Sequence, residues 1–215
     1  MWTTSPPPSR PGPPTRWAGH QRGPEAALAY RQRFLDLEAA GADLHGEARF
    51  VSELAPPPSR VLDAGCGYGR VASELTRRGH YAVGVDADPD LVALAQEDPR
   101  TRFVVADLST LDLRTEQEFH VVLLAGNVVP FLAEGTLAAV LERLTAHLVP
   151  GGHLVAGFAL GDAVPQGAAP VSLDDYDRLA RTAGLSYIAR WSTWDRQPFG
   201  ADSTYALSVH RRLGG

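Results

Sequence analysis

The sequence predicts an α/β fold built on a doubly wound, mostly parallel sheet, and three observations lead to this prediction. From residue 60 onward, short apolar runs rich in valine and leucine alternate with helical stretches. These runs do not alternate between polar and apolar side chains, which is typical of strands buried on both faces. The last two runs, 185–194 and 203–212, are separated by only eight residues. That is too few for a crossover helix, so this pair is expected to be antiparallel.

The individual elements follow from the same pattern. Strands are predicted at 60–65, 81–86, 102–107, 119–125 and 153–160, before the antiparallel pair at 185–194 and 203–212. Helices are predicted near 70–79, 88–97, 134–148 and 172–183. Short strands that alternate with helices indicate βαβ units and therefore a parallel sheet.

Three segments of different composition divide the chain. Residues 1–24 contain seven prolines, three arginines and no carboxylate, so this segment is predicted to be a disordered tail. Residues 25–58 are predicted to form an N-terminal helical cap, with helices near 25–40 and 46–55 and three prolines after the second helix. Residues 59–215 are predicted to form the α/β domain.

Composition excludes several classes of function. The 215 residues carry 20 basic and 25 acidic side chains, and the net charge of -5 argues against nucleic acid as the main partner. Every basic residue is an arginine, which excludes Schiff-base chemistry on a lysine. Cys66 is the only cysteine, so we predict neither an intramolecular disulfide nor a metal site. No apolar run approaches the roughly 18–20 residues of a membrane helix. We therefore expect a cytoplasmic protein that does not enter a membrane.

A glycine-rich loop follows the first predicted strand, in the segment VLDAGCGYGR. Gly65, Gly67 and Gly69 are spaced as G-x-G-x-G, and glycine is needed where the backbone bends tightly or approaches a ligand closely. Asp86 ends the second strand 21 residues after Gly65, where a dinucleotide-binding fold has its ribose-binding acid. Asp107 ends the third strand after another 21 residues. Either aspartate could also act only as the cap of the following helix.

Two kinds of nucleoside cofactor are compatible with this loop. NAD contains the ribose and the adenine, but the third glycine comes one residue earlier than in G-x-G-x-x-G, and Asp63 lies within the motif. A carboxylate at that position would repel a pyrophosphate. A ligand that carries an ammonium and a sulfonium would not be repelled.

Four motifs together resemble the class I S-adenosylmethionine-dependent methyltransferases. They are DAGCGYG at 63–69, GVDAD at 84–88, VVADL at 104–108 and LVPGGHLV at 148–155. They occur in the order and spacing of that family. The resemblance implies a Rossmann-like sheet of seven strands with an antiparallel last strand. It also implies S-adenosyl-L-methionine as the cofactor and S-adenosyl-L-homocysteine as the product.

The resemblance implies roles for individual residues as well. Asp63 and the glycine loop would hold the methionine end, Asp86 would bind the ribose hydroxyls, and Asp107 would meet the adenine with the Leu108 amide. If the N-terminal helices form a lid, one of their residues could meet the cofactor's carboxylate, and His45 or Glu47 could act as a base. The implied cofactor-binding set is Asp63, Gly65, Gly67, Gly69, Asp86, Ala87, Asp107, Leu108 and Ala125, with Tyr30 and Arg49 added from the cap.

The acceptor should bind near the same loops, because ligands of open α/β sheets lie outside the carboxyl ends of the strands. Asn127, the only asparagine, follows the fourth strand beside the expected methyl group. Its amide would either face the substrate, as a tentative catalytic residue, or cap the next helical turn. The other substrate-side candidates are Phe131, Trp194, Asp195, Arg196 and Phe199. Their alternative interpretations are packing for the aromatic rings and a solvated ion pair for the other two.

The predicted function is methyl transfer to a small-molecule acceptor. Transfer from a sulfonium is an in-line displacement that mainly requires alignment of the reacting groups. Related N-methyltransferases can carry Asn/Asp-Pro-Pro-aromatic after the fourth strand, whereas residues 127–131 read NVVPF, which does not favour a planar-amine or nucleic-acid substrate. The alternatives are a non-catalytic methyltransferase-like subunit and an NAD(P)-dependent oxidoreductase.

Overall fold

The computed structural model of the protein describes residues 12–20, 23–95, 101–113 and 118–214. The strands of its single sheet are β1 Arg60–Ala64, β2 Tyr81–Asp86, β3 Arg102–Val105, β4 Phe119–Leu124, β5 Leu148–Ala159, β6 Leu185–Trp191 and β7 Tyr205–Arg212. They are ordered β3-β2-β1-β4-β5-β7-β6. The first five strands are parallel to one another, and β7 is antiparallel to both β5 and β6. The predicted fold class, a doubly wound sheet of seven strands with an antiparallel last strand, is confirmed.

Helices cover the sheet on both faces. Those before β1 are α1 Arg16–His20, α2 Pro24–Ala39 and α3 Gly46–Leu54. Those that follow are α4 Arg70–Arg77, α5 Pro89–Ala95, α6 Val128–Phe131, α7 Leu137–Ala146 and α8 Leu173–Thr182. No helix in the described part of the chain is long and apolar enough to cross a membrane.

Strand β4 shows why the strand sequences are apolar throughout. Val122 and Leu124 belong to a core cluster that includes residues of α7 and α8, whereas Val121 and Leu123 belong to a cluster with α3 and α4. Successive strand residues point to opposite faces, so a strand covered by helices on both sides needs an apolar residue at every position.

Some predicted boundaries differ from the structure. The predicted helix 134–148 corresponds to α7 alone, and α6, which precedes it, was not predicted. Strand β5 begins at Leu148 rather than at residue 153, because Leu148 pairs with Phe119 before a shift in register leads to the Val121–His153 pair. Strand β3 ends at Val105, two residues before the predicted end.

The structure describes part of the N-terminal segment that was predicted to be a disordered tail. Residues 12–20 include α1, and its Trp17 ring packs edge-to-face against Tyr30 and Phe131, with ring centroids 5.2 Å and 5.3 Å apart. A single aromatic ring can anchor a segment whose average composition is too polar to fold alone. Residues 1–11, 21 and 22 lie outside the described residues. The division into tail, helical cap and α/β domain stays a prediction.

Candidate active site

A cleft lies at the edge of the sheet where β1, β2, β3 and β4 end. It contains about 700 Å³ of space free of protein atoms, including its open mouth. Its walls come from the loops after these strands and from the N-terminal segment. The lining residues are Thr15, Trp17, Tyr30, Gly65, Gly67, Asp86, Ala87, Leu91, Asp107, Leu108, Gly126, Val128, Phe131, Leu132, Ala133 and Thr136.

The glycine loop presents bare backbone to this cleft. Gly65 and Gly67 have φ angles of 85° and 56°, in the left-handed region that glycine adopts without strain. The Gly65 N–H donates to the Val85 carbonyl at 2.7 Å, and a Cβ at Gly65 would overlap the Val128 side chain. At Gly67 an added Cβ would meet only the Tyr30 ring, at 3.8 Å. The Tyr30 ring therefore lies at van der Waals distance from the position of such a Cβ, and both Gly67 and Tyr30 line the cleft.

Asp86 ends β2 and is held by the glycine loop. Its Oδ2 accepts a hydrogen bond from the Gly67 N–H at 2.8 Å, and its Oδ1 accepts one from the Asp88 N–H at 2.9 Å. Burial raises the pKa of Asp86 to about 6, although these hydrogen bonds act in the opposite direction. A carboxylate has about four acceptor positions, so Asp86 retains acceptor capacity for hydroxyl groups of a ligand in the cleft.

Asp107 and Leu108 form the wall of the cleft after β3. Oδ1 of Asp107 accepts hydrogen bonds from both the backbone N–H, at 2.7 Å, and the hydroxyl of Ser109. These bonds fix the carboxylate in its own turn, beside the buried Leu108 side chain. The wall thus combines one polar edge with an apolar surface, an arrangement that suits a heterocyclic base.

Asp63 lies beneath the loop and does not line the cleft. Its side chain is buried, and its Oδ2 accepts a hydrogen bond from the Ala72 N–H of α4 at 3.1 Å. Burial raises the pKa of Asp63 to about 7, partly opposed by the charge of Arg70. Asp63 therefore ties the end of β1 to the first turn of α4.

Three aromatic rings close the side of the cleft opposite the loop. The indole of Trp17 contacts both Tyr30 and Phe131 edge-to-face and donates a hydrogen bond from Nε1 to Asp88 Oδ2 at 3.1 Å. Burial raises the pKa of the Tyr30 phenol, so the phenol stays neutral at physiological pH. Tyr30, expected at the cofactor, and Phe131, expected at the substrate, both line this cleft.

Asn127 follows β4 but neither lines the cleft nor caps α6. Its backbone is left-handed, with φ 68° and ψ 26°, and no hydrogen bond from its side chain caps the helix. Its Oδ1 instead accepts a hydrogen bond from the Ala159 N–H at 2.7 Å, at the end of β5. Asparagine is among the few non-glycine residues that adopt this backbone conformation readily. Asn127 thus joins the turn after β4 to the neighbouring strand.

The connection between β6 and β7 corrects a second set of expectations. Trp194, Asp195 and Arg196 were expected at the cleft, but they pack against α3. The Arg196 guanidinium lies 4.7 Å from the Phe50 ring centroid and the Trp194 ring lies 5.7 Å from it. Arg49 was expected to meet the cofactor, but it pairs with Asp195 at 3.1 Å and does not line the cleft. The connection packs against α3 because it helps to bury the Phe50 ring, which is only 1% exposed.

Four further candidates are also outside the cleft. Gly69 precedes α4, and a Cβ there would lie 2.5 Å from Cζ of a phenylalanine beneath it, so its role is packing. Ala125 belongs to the core cluster shared with α3 and α4. Glu47 pairs with Arg70 at 2.6 Å. His45 lies between two glutamates, 3.9 Å and 3.8 Å away.

The lining residues that the sequence did not indicate fall into two groups. Val128, Leu132 and their neighbours follow β4, and the rule that ligands meet strand ends could have included them with Phe131. Thr15 and Trp17 lie in a proline-rich segment without periodicity, where the one available signal was an isolated tryptophan.

Substitution of Asn127 tests its structural role. Asn127→Ala removes the acceptor for the Ala159 N–H and places alanine, which adopts left-handed backbone less readily than asparagine, at this position, so we expect a loss of about 2 kcal/mol of unfolding free energy. Asn127→Gly should lose about half as much unfolding free energy, because glycine adopts left-handed backbone without strain. Asn127→Asp should be about as stable as the wild type, because aspartate keeps an acceptor for the Ala159 N–H. Urea unfolding of the three variants measures the order. Equal stability of the Ala and Asp variants would contradict the assignment.

The buried Asp63 should make stability depend on pH. Its pKa in the folded protein, about 7, is above the ordinary value of 3.8, so the folded state binds this proton more tightly than the unfolded state. The stability contributed by protonated Asp63 is present below the ordinary value and is lost as the pH rises through about 7. Asp63→Asn cannot titrate, so the wild type should lose stability relative to this variant between about pH 5 and pH 8.

Urea unfolding at both pH values measures this difference, with the exposed Asp202→Asn as the control. If the difference in unfolding free energy between the wild type and Asp63→Asn did not change with pH, the raised pKa of Asp63 would be refuted.

Comparison with known proteins agrees with the motifs and with this geometry. Residues 61–152 match the family described as a methyltransferase domain. The structure aligns with a TehB-like SAM-dependent methyltransferase from Corynebacterium glutamicum at a TM-score of 0.81 and 35% identity, covering 88% of this chain and 100% of that one. The predicted resemblance, enzyme class and cofactor are thereby confirmed at the level of the family.

Two curated relatives match over shorter stretches. The ribosomal protein L11 methyltransferase of Chromohalobacter salexigens is 33% identical over 109 residues, which are 49% of this chain and 35% of that protein. The 2-heptyl-1-hydroxyquinolin-4(1H)-one methyltransferase of Mycobacteroides abscessus is 47% identical over 55 residues, which are 23% of this chain and 24% of that protein. The chain thus matches about a third or less of the length of these two proteins. By its motifs, its sheet and its full-length structural relative, this chain belongs to the class I S-adenosylmethionine-dependent methyltransferases.

Proposed function

We propose that this chain binds S-adenosyl-L-methionine in the cleft and transfers its methyl group to a small-molecule acceptor. The observation that carries the proposal is the junction of the glycine loop with Asp86. Glycine backbone without side chains and a carboxylate with spare acceptor positions lie side by side at the end of two adjacent parallel strands. When bound, the cofactor supplies a methyl group on a positively charged sulfur.

Each wall would hold a different part of the cofactor. The backbone at Gly65 and Gly67 would contact the methionine portion, beneath the Tyr30 ring. Asp86 would accept hydrogen bonds from the ribose hydroxyls. Asp107 and the backbone amide of Leu108 would meet the edge of the adenine.

The charges near the cleft support a sulfonium cofactor over NAD. Asp86 and Asp107 line the cleft, Asp88 lies at its rim, and Asp63 is buried beneath the loop. Carboxylates at these positions attract a ligand with positive charges and repel a pyrophosphate. The oxidoreductase alternative is therefore not retained.

The acceptor would bind on the side of the cleft formed by α6 and the residues after it. That side presents the Phe131 ring with the apolar side chains of Leu132 and Ala133, which suits a flat, largely apolar small molecule. The Mycobacteroides abscessus relative is named for such an acceptor, a hydroxyquinolinone. The match to the ribosomal protein L11 enzyme covers only about a third of that protein, so we do not propose a ribosomal protein as the acceptor.

Alignment would be the main contribution of the protein to this reaction, because a sulfonium methyl group is already activated. The bond between Asn127 and Ala159 would hold the turn that carries α6, and therefore Phe131, in register with the end of β5. Asn127 would then act as a positioning residue rather than as a catalytic one.

Cofactor binding tests the first half of the proposal. Asp86→Ala should weaken S-adenosyl-L-homocysteine about ten- to hundred-fold, because each hydrogen bond to a charged group is worth about 1.5–3 kcal/mol. Isothermal calorimetry measures the affinity, with Asp90→Ala as the control, because Asp90 is a half-buried acid of α5 that does not line the cleft. Binding of NADH in place of S-adenosyl-L-homocysteine, or an unchanged affinity in Asp86→Ala, would refute the assignment.

Turnover tests the second half and separates an enzyme from a non-catalytic subunit. With a methyl-labelled donor and a metabolite extract as the source of acceptors, we expect label in a small apolar product. For that acceptor, Phe131→Ala should raise KM about ten-fold through loss of a ring contact. It should not weaken the binding of S-adenosyl-L-homocysteine.

The control for this variant is Phe199→Ala, whose ring contacts Arg190 away from the cleft. An absence of labelled product under conditions where the cofactor binds would favour the non-catalytic subunit.

A further inference from the structure

The N-terminal segment 12–17 crosses the cleft and touches the carboxylate of Asp107. A Cβ placed on Gly12 would lie 2.5 Å from Cγ of Asp107 and 2.6 Å and 2.7 Å from its two oxygens. Such distances are too short for real atoms, so the Gly12 backbone is packed directly on this carboxylate. Gly12 therefore occupies the space directly beside the Asp107 carboxylate.

Two residues fasten this segment to opposite walls of the cleft. Trp17 donates its indole hydrogen bond to Asp88, which follows β2. Arg16 donates from Nη1 to the Leu132 carbonyl at 2.7 Å, after α6, and its Nη2 lies 3.7 Å from Glu134. The segment thus spans the cleft from the ribose side to the side of the proposed acceptor.

We propose that residues 12–17 compete with the adenine end of the cofactor for the wall at Asp107. This inference rests on the proposed function, in which the adenine edge meets Asp107 and Leu108. Gly12 and an adenine cannot both contact the same face of that carboxylate, so the cofactor enters when the segment leaves. Loss of the Trp17 and Arg16 contacts is the free-energy cost of that opening.

The competition has a measurable consequence. The apparent affinity of a ligand is reduced by the fraction of molecules in which its site is open. A change that weakens only the contact at Asp107 raises this fraction and therefore strengthens cofactor binding. If residues 12–17 instead formed a wall of the cofactor-bound site, their displacement would weaken cofactor binding.

Gly12→Ala is the informative variant, because its added methyl group would collide with Asp107 and move the segment away. The matched control is Gly19→Ala in α1, two residues after the segment, where an added Cβ meets nothing within 4 Å. Surface plasmon resonance with S-adenosyl-L-homocysteine measures association rate and affinity. We expect Gly12→Ala to bind about three-fold or more tightly, with faster association, and Gly19→Ala to match the wild type.

Limited trypsin digestion of the unsubstituted protein gives a second measurement. Saturating S-adenosyl-L-homocysteine should accelerate cleavage after Arg16, because the segment is displaced. Unchanged or weaker binding by Gly12→Ala, or slower cleavage after Arg16 with ligand, would overturn the competition while leaving the cofactor site intact. Absence of binding by all three proteins would overturn the proposed function together with this inference.

Discussion

The hydrogen bond from the Gly67 N–H to the Asp86 carboxylate is the contact on which the rest of the site depends. It fixes the loop after β1 to the end of β2, and the Gly65 N–H bonded to the Val85 carbonyl fixes the same loop one step earlier. The loop can lie this close to the turn after β4 because Gly65 has no side chain to collide with Val128. Three strand ends are therefore held around one space by backbone groups.

The sheet and most of the cleft could be predicted because each depends on a local pattern. Strands such as β4, covered on both faces, are apolar at every position, and their carboxyl ends must share an edge if they are parallel. That reasoning located Gly65, Asp86, Asp107 and Phe131. It failed for Asp195 because the connection after β6 folds onto α3, and which apolar surface a long connection will cover is not encoded in its own residues.

Asn127 illustrates a different limit of local reasoning. Two roles could be predicted from its neighbours, a helix cap or a ligand contact, and the structure shows a third. Its left-handed backbone makes the turn, while its side chain accepts from Ala159, 32 residues further along the chain. Trp17 is a parallel case, because Asp88 and Phe131 are distant in sequence and a proline-rich segment gives no periodic signal. Both residues join elements that approach each other only in the folded state.

The position of β7 has a consequence for how the chain reaches this structure. The strand lies between β5 and β6 in the sheet, although both precede it in sequence. While the chain is being synthesised, β5 can pair with β4 but keeps its other edge open until Arg212 has left the ribosome. An unpaired edge of this kind can recruit strands from other chains. The interval between completion of β5 and insertion of β7 is thus the stage at which folding competes with aggregation.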